Sequence, residues 1–432
     1  PERGSVHSIM EDHENPDLLF VGTEFGVFFT TDGGQKWVRL KGGIPTIAVR
    51  DLDIQRREDD LVVGTFGRGI YVLDDYSLLR SVDEEKLQQE ATLFPVKNPW
   101  MYIQDSPLGG REKSFQGDSF FTAPNPPFGA VISYYLKESV DTKKKTRQEM
   151  EKETSKEGGT VSYPTWEELR AEAREEQPAI LLSIRDEDGN IVRRLQGKPT
   201  AGVYRIAWDL RYPASTPVEL GSGSANGRSP QGPLAMPGKY SVTLEKRAAN
   251  QIVRLAEPQH FEARPLGTAT LDEADREALL NFQKKTARLQ RAVLGSVRAL
   301  AEATEQLSHL KQAIVQTPAA DQDLYLKARD LENQIKNLQI KLSGDPVRQS
   351  HNAPVPPSIS GRVRGIVSGH WSTTSAPTKT QLDAYEIAAD EFTSVLKLTR
   401  TLLTKDLRNL EDEVESAGGP WTPGRVPRWE KE

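Results

Sequence analysis

Two stretches near the start of the chain share one pattern of hydrophobic residues and glycines. Leu18 to Asp32 reads LLFVGTEFGVFFTTD, and Asp60 to Asp75 reads DLVVGTFGRGIYVLDD. Each predicts a strand, a glycine-containing turn and a second strand, with a leading strand at Val6 to Ile9 or Val49 to Leu52. A group of several short strands that recurs about every 40–45 residues is typical of β-propeller blades, and these two stretches lie about forty residues apart. The pattern therefore predicts the last two propeller blades over residues 1–80.

Two blades are too few to close a propeller ring. A blade buries its faces against neighbours on both sides, and propellers typically contain at least about four blades. We therefore expect the remaining blades to come from an upstream segment or from another chain. The first residue, Pro1, is consistent with a fragment or a processed chain.

A connector and a β-rich region follow the repeats. Residues 81–127 are rich in proline, glycine and aspartate but also in aromatic residues, and we interpret them as an ordered strap over the propeller edge. Residues 128–265 contain short apolar runs separated by turn signals, which indicate a β-sandwich. The predicted strands are Ala130–Leu136, Ala179–Arg185, Ile191–Leu195, Val203–Leu210 and Lys239–Leu244.

A highly charged insertion, residues 138–177, follows the first of these strands. Lys143 to Lys156 is predicted to be an exposed helix, and Thr165 with Glu168 forms the capping-box pattern that opens a second helix ending near Glu176. Two interpretations stay open, a solvated helical hairpin or an arm that docks on a partner.

The final third changes to alternating three- and four-residue hydrophobic spacing. This spacing predicts an antiparallel bundle of three long helices over residues 266–417, interrupted by a loop rich in proline, serine and glycine at 343–379 with a short helix at Ile359–Val367. The stripes serve either as the bundle core or as an interface with a second protein. The tail, 418–432, contains Trp421 and Trp429, and we expect it to dock on a surface. The stripes include Leu279, Phe282, Leu289, Val293 and Leu300, then Leu324, Ala328, Leu331, Ile335 and Leu338, and then Leu382, Tyr385, Ala389, Phe392, Leu396, Leu403 and Leu407.

The composition excludes several kinds of functional site. The 432 residues contain no cysteine, which excludes disulfides, thiolate metal sites and a cysteine nucleophile. A net charge of −6 gives no reason to expect nucleic acid, and no apolar run is long enough to span a membrane. The histidines form no zincin spacing, and neither a nucleophile elbow nor a P-loop occurs. We therefore predict no cofactor and no metal, and the catalytic residues, if any, stay unknown.

The first repeat ends in a turn motif. Residues 30–37 read TTDGGQKW, which resembles the Asp-box, Ser/Thr-x-Asp-x-Gly-x-Thr-Trp, with Lys36 in place of the usual threonine. Thr30, Asp32, Gly34 and Trp37 have structural roles in a tight hairpin: the aspartate accepts backbone N–H groups, the glycine allows positive φ and the tryptophan packs back. A direct role in ligand binding is the alternative.

Two further groups of residues are weaker candidates. Glu24, Arg68, Asp74 and Asp75 lie at repeat-equivalent or blade-end positions, where they either contact a ligand or hold turns and strand ends. Asp186, Asp188 and Asn190 begin like a calcium loop, but no glutamate follows at the twelfth position. A two-residue hairpin turn explains these three residues more simply.

Several segments resemble known families. The runs VGTEFGVFFTTDGGQKW, IPTIAVRDLDI and GTFGRGIYVLDDYSLLR resemble the end of the propeller in large secreted bacterial proteins with BNR/Asp-box repeats, described as sortilin-like or as "glycosyl hydrolases". The runs DGNIVR, AGVYRIAWD and PGKY resemble the Ig-like domain of flagellar hook-capping proteins. The resemblance implies a secreted, periplasmic or cell-surface protein, with the Asp-box on the propeller rim away from the ligand site.

Three functional hypotheses follow. The first is a non-catalytic extracytoplasmic binding or scaffold protein, whose propeller surface takes a glycan or peptide and whose Ig-like and helical modules contact a protein partner or a second copy. The second is a sialidase-like glycoside hydrolase whose catalytic residues lie mostly in upstream blades. The third is one subunit of a larger assembly that supplies the other blades.

Overall fold

The computed structural model describes residues 4–104, 123–218, 230–249, 251–267, 273–371 and 373–431. The chain contains both β-sheets and α-helices, which confirms the predicted mixed class. Contacts divide it into two units, which are described separately: unit 1 is Pro1–Leu210 with Pro237–Leu266, and unit 2 is Arg211–Met236 with Gly267–Glu432. The five predicted segments are a finer division and stay a prediction. Residues 105–122 of the predicted connector lie outside the described residues.

The two sequence repeats form two antiparallel sheets in unit 1. Each sheet joins strands in chain order, because short turns connect neighbours that can pair locally. Leu18, Phe20, Val49, Leu61 and Val63 are fully buried in one shared core. The assignment of these sheets as propeller blades stays a prediction. The first sheet consists of β1 (Val6–Glu11), β2 (Leu19–Thr23), β3 (Gly26–Thr30) and β4 (Val38–Arg39), and the second of β5 (Val49–Gln55), β6 (Asp60–Thr65) and β7 (Ile70–Leu73).

A buried ion pair joins the two sheets to the segment that leaves them. That segment begins with a 3₁₀ turn, Ser77–Ser81. Arg80 donates from Nε and Nη2 to the two carboxylate oxygens of Asp12, both at 2.8 Å, and from Nη2 to Asp59 Oδ1 at 2.7 Å. The Tyr76 hydroxyl donates to Asp12 Oδ1 at 2.5 Å. The Asp12 side chain is fully buried, so its charge depends on these partners.

The predicted connector contributes strands to the sheets that follow it. The connector contains α1 (Glu84–Gln88), β8 (Ala91–Leu93) and β9 (Trp100–Met101). Strand β8 pairs with β10 (Ala130–Leu136), and β9 pairs in parallel with the strand Gln259–Pro265. The connector is therefore held by strand pairing with the β-rich region.

The β-rich region forms two sheets that pack face to face. Trp208 on the smaller sheet makes edge-to-face contacts with Tyr240 and Phe261 on the larger, with ring centroids 5.0 and 6.2 Å apart. The Ig-like assignment stays a prediction. The remaining strands are β11 (Ala179–Arg185), β12 (Ile191–Gly197), β13 (Gly202–Trp208), β14 (Gly238–Ala248), β15 (Gln251–Arg254) and β16 (Gln259–Pro265); the orders are β13-β10-β8 and β12-β11-β14-β16-β9, with β15 on β14.

The charged insertion is a helical hairpin, α2 (Lys143–Lys156) and α3 (Trp166–Arg174). The predicted capping box is confirmed, since Thr165 and Glu168 bond reciprocally. Arg147 joins the two helices through a bidentate pair with Glu172 at 2.6 and 2.9 Å. Neither helix contains a buried residue.

Unit 2 is helical, and its third long helix differs from the prediction. Leu382, a predicted stripe residue, is 41% exposed, whereas Val395, Leu402 and Leu407 are buried. The five-residue step from Leu402 to Leu407 fits the π-helical segment Leu402–Asp406, which inserts one extra residue and returns the stripe to the core. The helices are α4 (Glu273–Gln316), α5 (Gln322–Ser343), α6 (Pro346–Ser350), α7 (Ile359–His370), α8 (Lys379–Thr401) and α9 (Leu407–Ser416).

The C-terminal tail is anchored differently from the prediction. Trp421 and Trp429 are 61% and 82% exposed, while Thr422 and Arg425 are buried. Arg425 donates to the carbonyl oxygens of Gly419 and Pro420 and pairs with Glu415 at 3.2 Å, which places its charge at the end of α9.

We expect Arg80→Met to lower the stability of unit 1 by about 3 kcal/mol. The substitution leaves Asp12 charged and buried without its cation, and breaking a buried pair in this way is strongly destabilising. The matched control, Arg254→Met, removes a pair with the exposed Glu257 and should cost less than about 1 kcal/mol. Urea unfolding followed by hydrogen exchange of the β1–β7 amides measures both. Equal losses would contradict the importance of the buried pair.

The same carboxylate predicts an acid-dependent loss of stability. Burial raises the pKa of Asp12, but hydrogen bonds from Arg80, Tyr76 and the Asn15 amide outweigh it and hold that pKa well below the ordinary 3.8. A carboxyl whose pKa is lower in the folded state stabilises at pH values above its unfolded pKa and loses this contribution as the pH falls. The stability difference between the native protein and Asp12→Asn should therefore shrink below about pH 4. A pH-independent difference would show that the charge is not responsible.

Candidate functional site

The residues of the Asp-box-like motif form a hydrogen-bonded turn. Asp32 Oδ1 accepts the Gln35 and Lys36 amides at 2.9 and 3.0 Å, and the hydroxyl of Thr30 donates to the same oxygen at 2.6 Å. The Thr30 hydroxyl bond, followed by these backbone bonds, lowers the pKa of Asp32. Gly34 has a φ of +99°, and a Cβ there would lie 3.7 Å from the Trp37 ring. The Asp32 carboxylate is thus engaged by its own turn.

The structure separates the four weaker candidates into two pairs. Glu24 and Arg68 are exposed on turns, and neither lines a described cleft. Asp74 and Asp75 follow β7 and line one cleft of about 350 Å³ in unit 1. We call this the acidic cleft. Its other lining residues include Arg57, Glu58, Asp60, Lys97, Asn98, Trp100, Tyr102 and Phe128.

Backbone geometry places the two aspartates at the cleft. Asp75 has a φ of +44°, a left-handed conformation that is uncommon for a residue with a side chain and that concentrates at functional sites. Its amide donates to Asp60 Oδ1 at 2.9 Å. Arg205 on β13 donates to the carbonyl oxygens of Asp74 and Asp75 at 2.9 and 3.0 Å, which holds the end of the second sheet against the smaller sheet of the β-rich region.

Most charged groups around the cleft are paired. Glu58 accepts from Arg57 at 3.1 Å and from Lys97 at 2.9 Å. Asp75 accepts the Ser77 hydroxyl at 2.5 Å and lies 3.3 Å from Arg205 Nη2.

Asp60 and Asp74 are the exceptions, since no cationic side chain among the described residues forms an ion pair with either carboxylate. Burial, followed by repulsion from Asp60, raises the pKa of Asp74 despite the nearby Arg205. The cleft therefore carries negative charge that the described part of the chain does not balance.

Aromatic rings form another wall of the acidic cleft. Trp100 is 42% exposed and Tyr102 is 39% exposed. Phe128 supports Tyr102 edge-to-face at 4.9 Å between centroids. Trp100 and Tyr102 are among the aromatic residues on which the prediction of an ordered connector rests, and no sequence pattern indicates Asp60. The presence of aromatic residues in a proline-rich segment was the only sequence signal for this wall of the cleft. No neighbouring residue indicated that these rings lie beside Asp74.

A second cluster, His13, Glu14 and Asp59, has spacing that suits a metal ion, since one ligand atom from each lies within 4.8 Å of the others. Arg80 already donates to Asp59 at 2.7 Å and to Glu14 at 2.9 Å. The guanidinium therefore supplies the positive charge that these carboxylates need, and we assign no metal to the cluster.

The weak calcium candidates lie in the turn between β11 and β12. Asp186 Oδ1 accepts the Asn190 amide at 2.8 Å, and the Asp186 amide donates to the Asn190 carbonyl at 3.0 Å. Gly189 between them has a φ of +79°. Asp188 is exposed at the tip of this turn. Asp186 and Asn190 thus bond mainly to each other.

Comparison with known proteins gives limited similarity. No protein-family model and no curated protein matches the chain. Among solved structures, the chain is similar to PorZ, an essential surface component of the type-IX secretion system of Porphyromonas gingivalis, with 13% identity and a TM-score of 0.16 over 60% of this chain and 30% of that chain.

The extracellular domain of BT4673 from B. thetaiotaomicron is also similar. Two structures, described as a one-component and a hybrid two-component system, each show 11% identity and a TM-score of 0.14 over 61% of this chain and over 25% and 26% of theirs. The match thus spans less than a third of each neighbour. Likenesses of this size carry no argument about function. The resemblance to BNR/Asp-box and sortilin-like proteins stays a prediction. Among the described helices, none has the length and apolar character to cross a membrane.

We expect Asp74→Asn to stabilise unit 1 at neutral pH. Because the pKa of Asp74 is raised in the folded state, its ionised form is disfavoured there, and the penalty disappears at pH values below the ordinary 3.8. The gain should be less than about 1 kcal/mol, since the group is partly screened by solvent. Asp75→Asn is the matched control and should be destabilising, because it removes the charge that faces Arg205. Urea unfolding at pH 7 and pH 3.5 distinguishes them; stabilisation by both variants would contradict this account.

Proposed function

We propose that the chain is part of a non-catalytic extracytoplasmic binding protein whose acidic cleft takes a basic side chain of a peptide ligand. One observation carries the proposal: the Asp60 and Asp74 carboxylates have no ion-pair partner among the described residues and share a cleft with the exposed rings of Trp100 and Tyr102. Carboxylates beside aromatic faces are the groups that recognise an ammonium or a guanidinium.

The energetics favour a cation over a neutral ligand. A cation within about 6 Å of an aromatic centroid gains roughly 0.5–2 kcal/mol, depending on how far it is desolvated. Charge-assisted hydrogen bonds to a carboxylate are about twice as strong as neutral ones. A bound cation would also relieve the repulsion between Asp60 and Asp74 that the free cleft retains. A neutral sugar would stack on the rings but leave this repulsion in place.

The proposal also assigns roles to the repeat sheets, the β-rich region and the helical unit. The two repeat sheets are the last blades of a propeller, and upstream blades or another chain supply the others, in line with the repeat spacing and the BNR/Asp-box resemblance. The β-rich region is Ig-like, and the charged α2–α3 hairpin and the helical unit offer surfaces for a protein partner or a second copy. The resemblance supports a secreted, periplasmic or cell-surface location.

A glycoside hydrolase is the second candidate, and one observation favours it. Asp74 has a raised pKa beside a second carboxylate, Asp60, which is the type of pairing that glycosidases use for a general acid and its partner. The rings of Trp100 and Tyr102 would then stack on a sugar. If the protein is a hydrolase, it must release reducing sugar from an oligosaccharide as well as bind it.

Binding of short peptides tests the proposal. Acetylated tetra-arginine amide should bind the chain at pH 7 and low salt more tightly than tetraglutamate or tetraserine, as measured by isothermal titration calorimetry. Trp100→Ala should weaken binding about tenfold, because it removes a cation–π and stacking face. Trp166→Ala on α3, where the ring is 72% exposed, is the matched control and should have no effect.

The outcomes separate the candidates. Equal affinity for basic and neutral peptides, or equal effects of Trp100→Ala and Trp166→Ala, would contradict the cleft as a cation site. Binding of a neutral oligosaccharide that depends on Trp100 would favour the glycan alternative. Reducing-sugar release that is lost in Asp74→Asn would favour the hydrolase.

A further inference from the structure

A groove in unit 2 has an apolar lining and a positively charged rim. It lies where the end of α5, α6, the beginning of α7 and α8 meet, and it has a volume of about 570 Å³. We call it the bundle groove. The volume falls within the range of roughly 300–1,000 Å³ that is typical of small-molecule sites.

Apolar side chains line the bundle groove. Ile340 on α5 and Leu398 on α8 are 39% and 52% exposed, although both belong to helices that bury another face. Pro356 and Pro357 form the wall that leads into α7, and their fixed φ angles make this wall stiff. An apolar body bound here would remove the Ile340 and Leu398 side chains from water.

Three cations from three helices lie around this lining. Lys341 belongs to α5, Arg348 to α6 and Arg362 to α7. Among the residues that the structure describes, no carboxylate forms an ion pair with any of them. The Nε atom of Arg362 is buried and has no hydrogen-bond acceptor in the described structure. A buried donor without an acceptor needs an explanation, and a bound ion is one of the recognised ones.

The two acids at the bundle groove compensate these cations only in part. Asp345 Oδ1 accepts the amides of Val347 and Arg348 at 3.0 and 3.2 Å, so it is engaged in capping α6. Glu391 on α8 is the other acid, so two carboxylates face three cations and the lining keeps a net positive charge.

We propose that the bundle groove binds a small organic anion with an unbranched apolar chain, of the class of medium-chain carboxylates. The carboxylate accepts hydrogen bonds from Arg362, with Lys341 and Arg348 adding positive charge, and the chain lies on Ile340, Leu398 and the proline wall. Charge complementarity identifies this occupant, since a cationic amphiphile of the same length would meet three like charges. The proposal is independent of the acidic cleft, which lies in unit 1.

Calorimetric titration of the full chain with decanoate tests the proposal. Decyltrimethylammonium has the same chain length with the opposite charge and should bind at least tenfold more weakly at pH 7.5. Both ligands are used below their critical micelle concentrations. Decanoate affinity should fall as salt is added, because part of the binding is electrostatic.

Substitutions locate the site. Arg362→Gln should weaken decanoate about tenfold, the loss expected for one charge-assisted hydrogen bond. Arg364→Gln is the matched control, since Arg364 is an exposed arginine of α7 that does not line the groove, and it should leave affinity unchanged. Glu391→Gln should strengthen binding by removing the opposing charge.

If Arg362→Gln does not fold, as judged by thermal unfolding, Lys341→Gln decides, because Lys341 is exposed on α5 and its loss should weaken decanoate several-fold. Equal affinity for decanoate and decyltrimethylammonium would overturn the proposal. So would equal effects of Arg362→Gln and Arg364→Gln, or unchanged affinity in Lys341→Gln.

Discussion

The buried pair between Asp12 and Arg80 is the constraint on which the two N-terminal repeat sheets depend. Asp12 follows β1, Asp59 precedes β6, and Arg80 donates to both. A carboxylate with a fully buried side chain needs a cation, so the segment after β7 must return across both repeat sheets to deliver one. Tyr76 reinforces this path by donating its amide to the Asp59 carbonyl at 2.8 Å and its hydroxyl to Asp12. The left-handed φ of Asp75, +44°, lies immediately before Tyr76 on the same path.

The carboxylates of Asp32 and Asp74 differ in how their charges are stabilised. The carboxylate of Asp32 accepts the amides and the hydroxyl of its own turn, so its charge is stabilised locally and little is left for a ligand. Asp74 lies one residue before the left-handed Asp75, and its backbone carbonyl, not its carboxylate, receives Arg205. Its charge is therefore opposed by Asp60. Asp74 thus keeps an electrostatic penalty that Asp32 avoids, and perturbed carboxylates of this kind cluster at functional sites.

Local patterns predicted local structure well and missed what depends on distant contacts. The bounds of β10, β11 and α2 follow from apolar runs and from the charge pattern of neighbouring residues. By contrast, β8 and β9 are three- and two-residue strands that exist because the β-rich region pairs with them. The π-helical segment that shifts the stripe of the third long helix left no recognisable signal. Asp74 and Asp75 could be nominated as candidates because they lie at the end of a sequence repeat. Trp100 and Tyr102 could not be nominated, because only tertiary packing brings the connector beside β7.

The segment predicted as a loop between the second and third long helices has a larger structural role in unit 2. Ile359 and Val363 on α7 are buried in the bundle core, so this short helix acts as a further core element. Gly344, with a φ of +98°, turns the chain out of α5, and the prolines before Ser358 bring it back to begin α7. Inserting a short helix beside two long ones leaves a gap where the three do not cover each other. The bundle groove is this gap. Lys341 in the last turn of α5, Arg348 on α6 and Arg362 in the first turn of α7 line it. Their mutual repulsion is tolerable in solvent, where it is screened, and becomes attraction for any anion that enters.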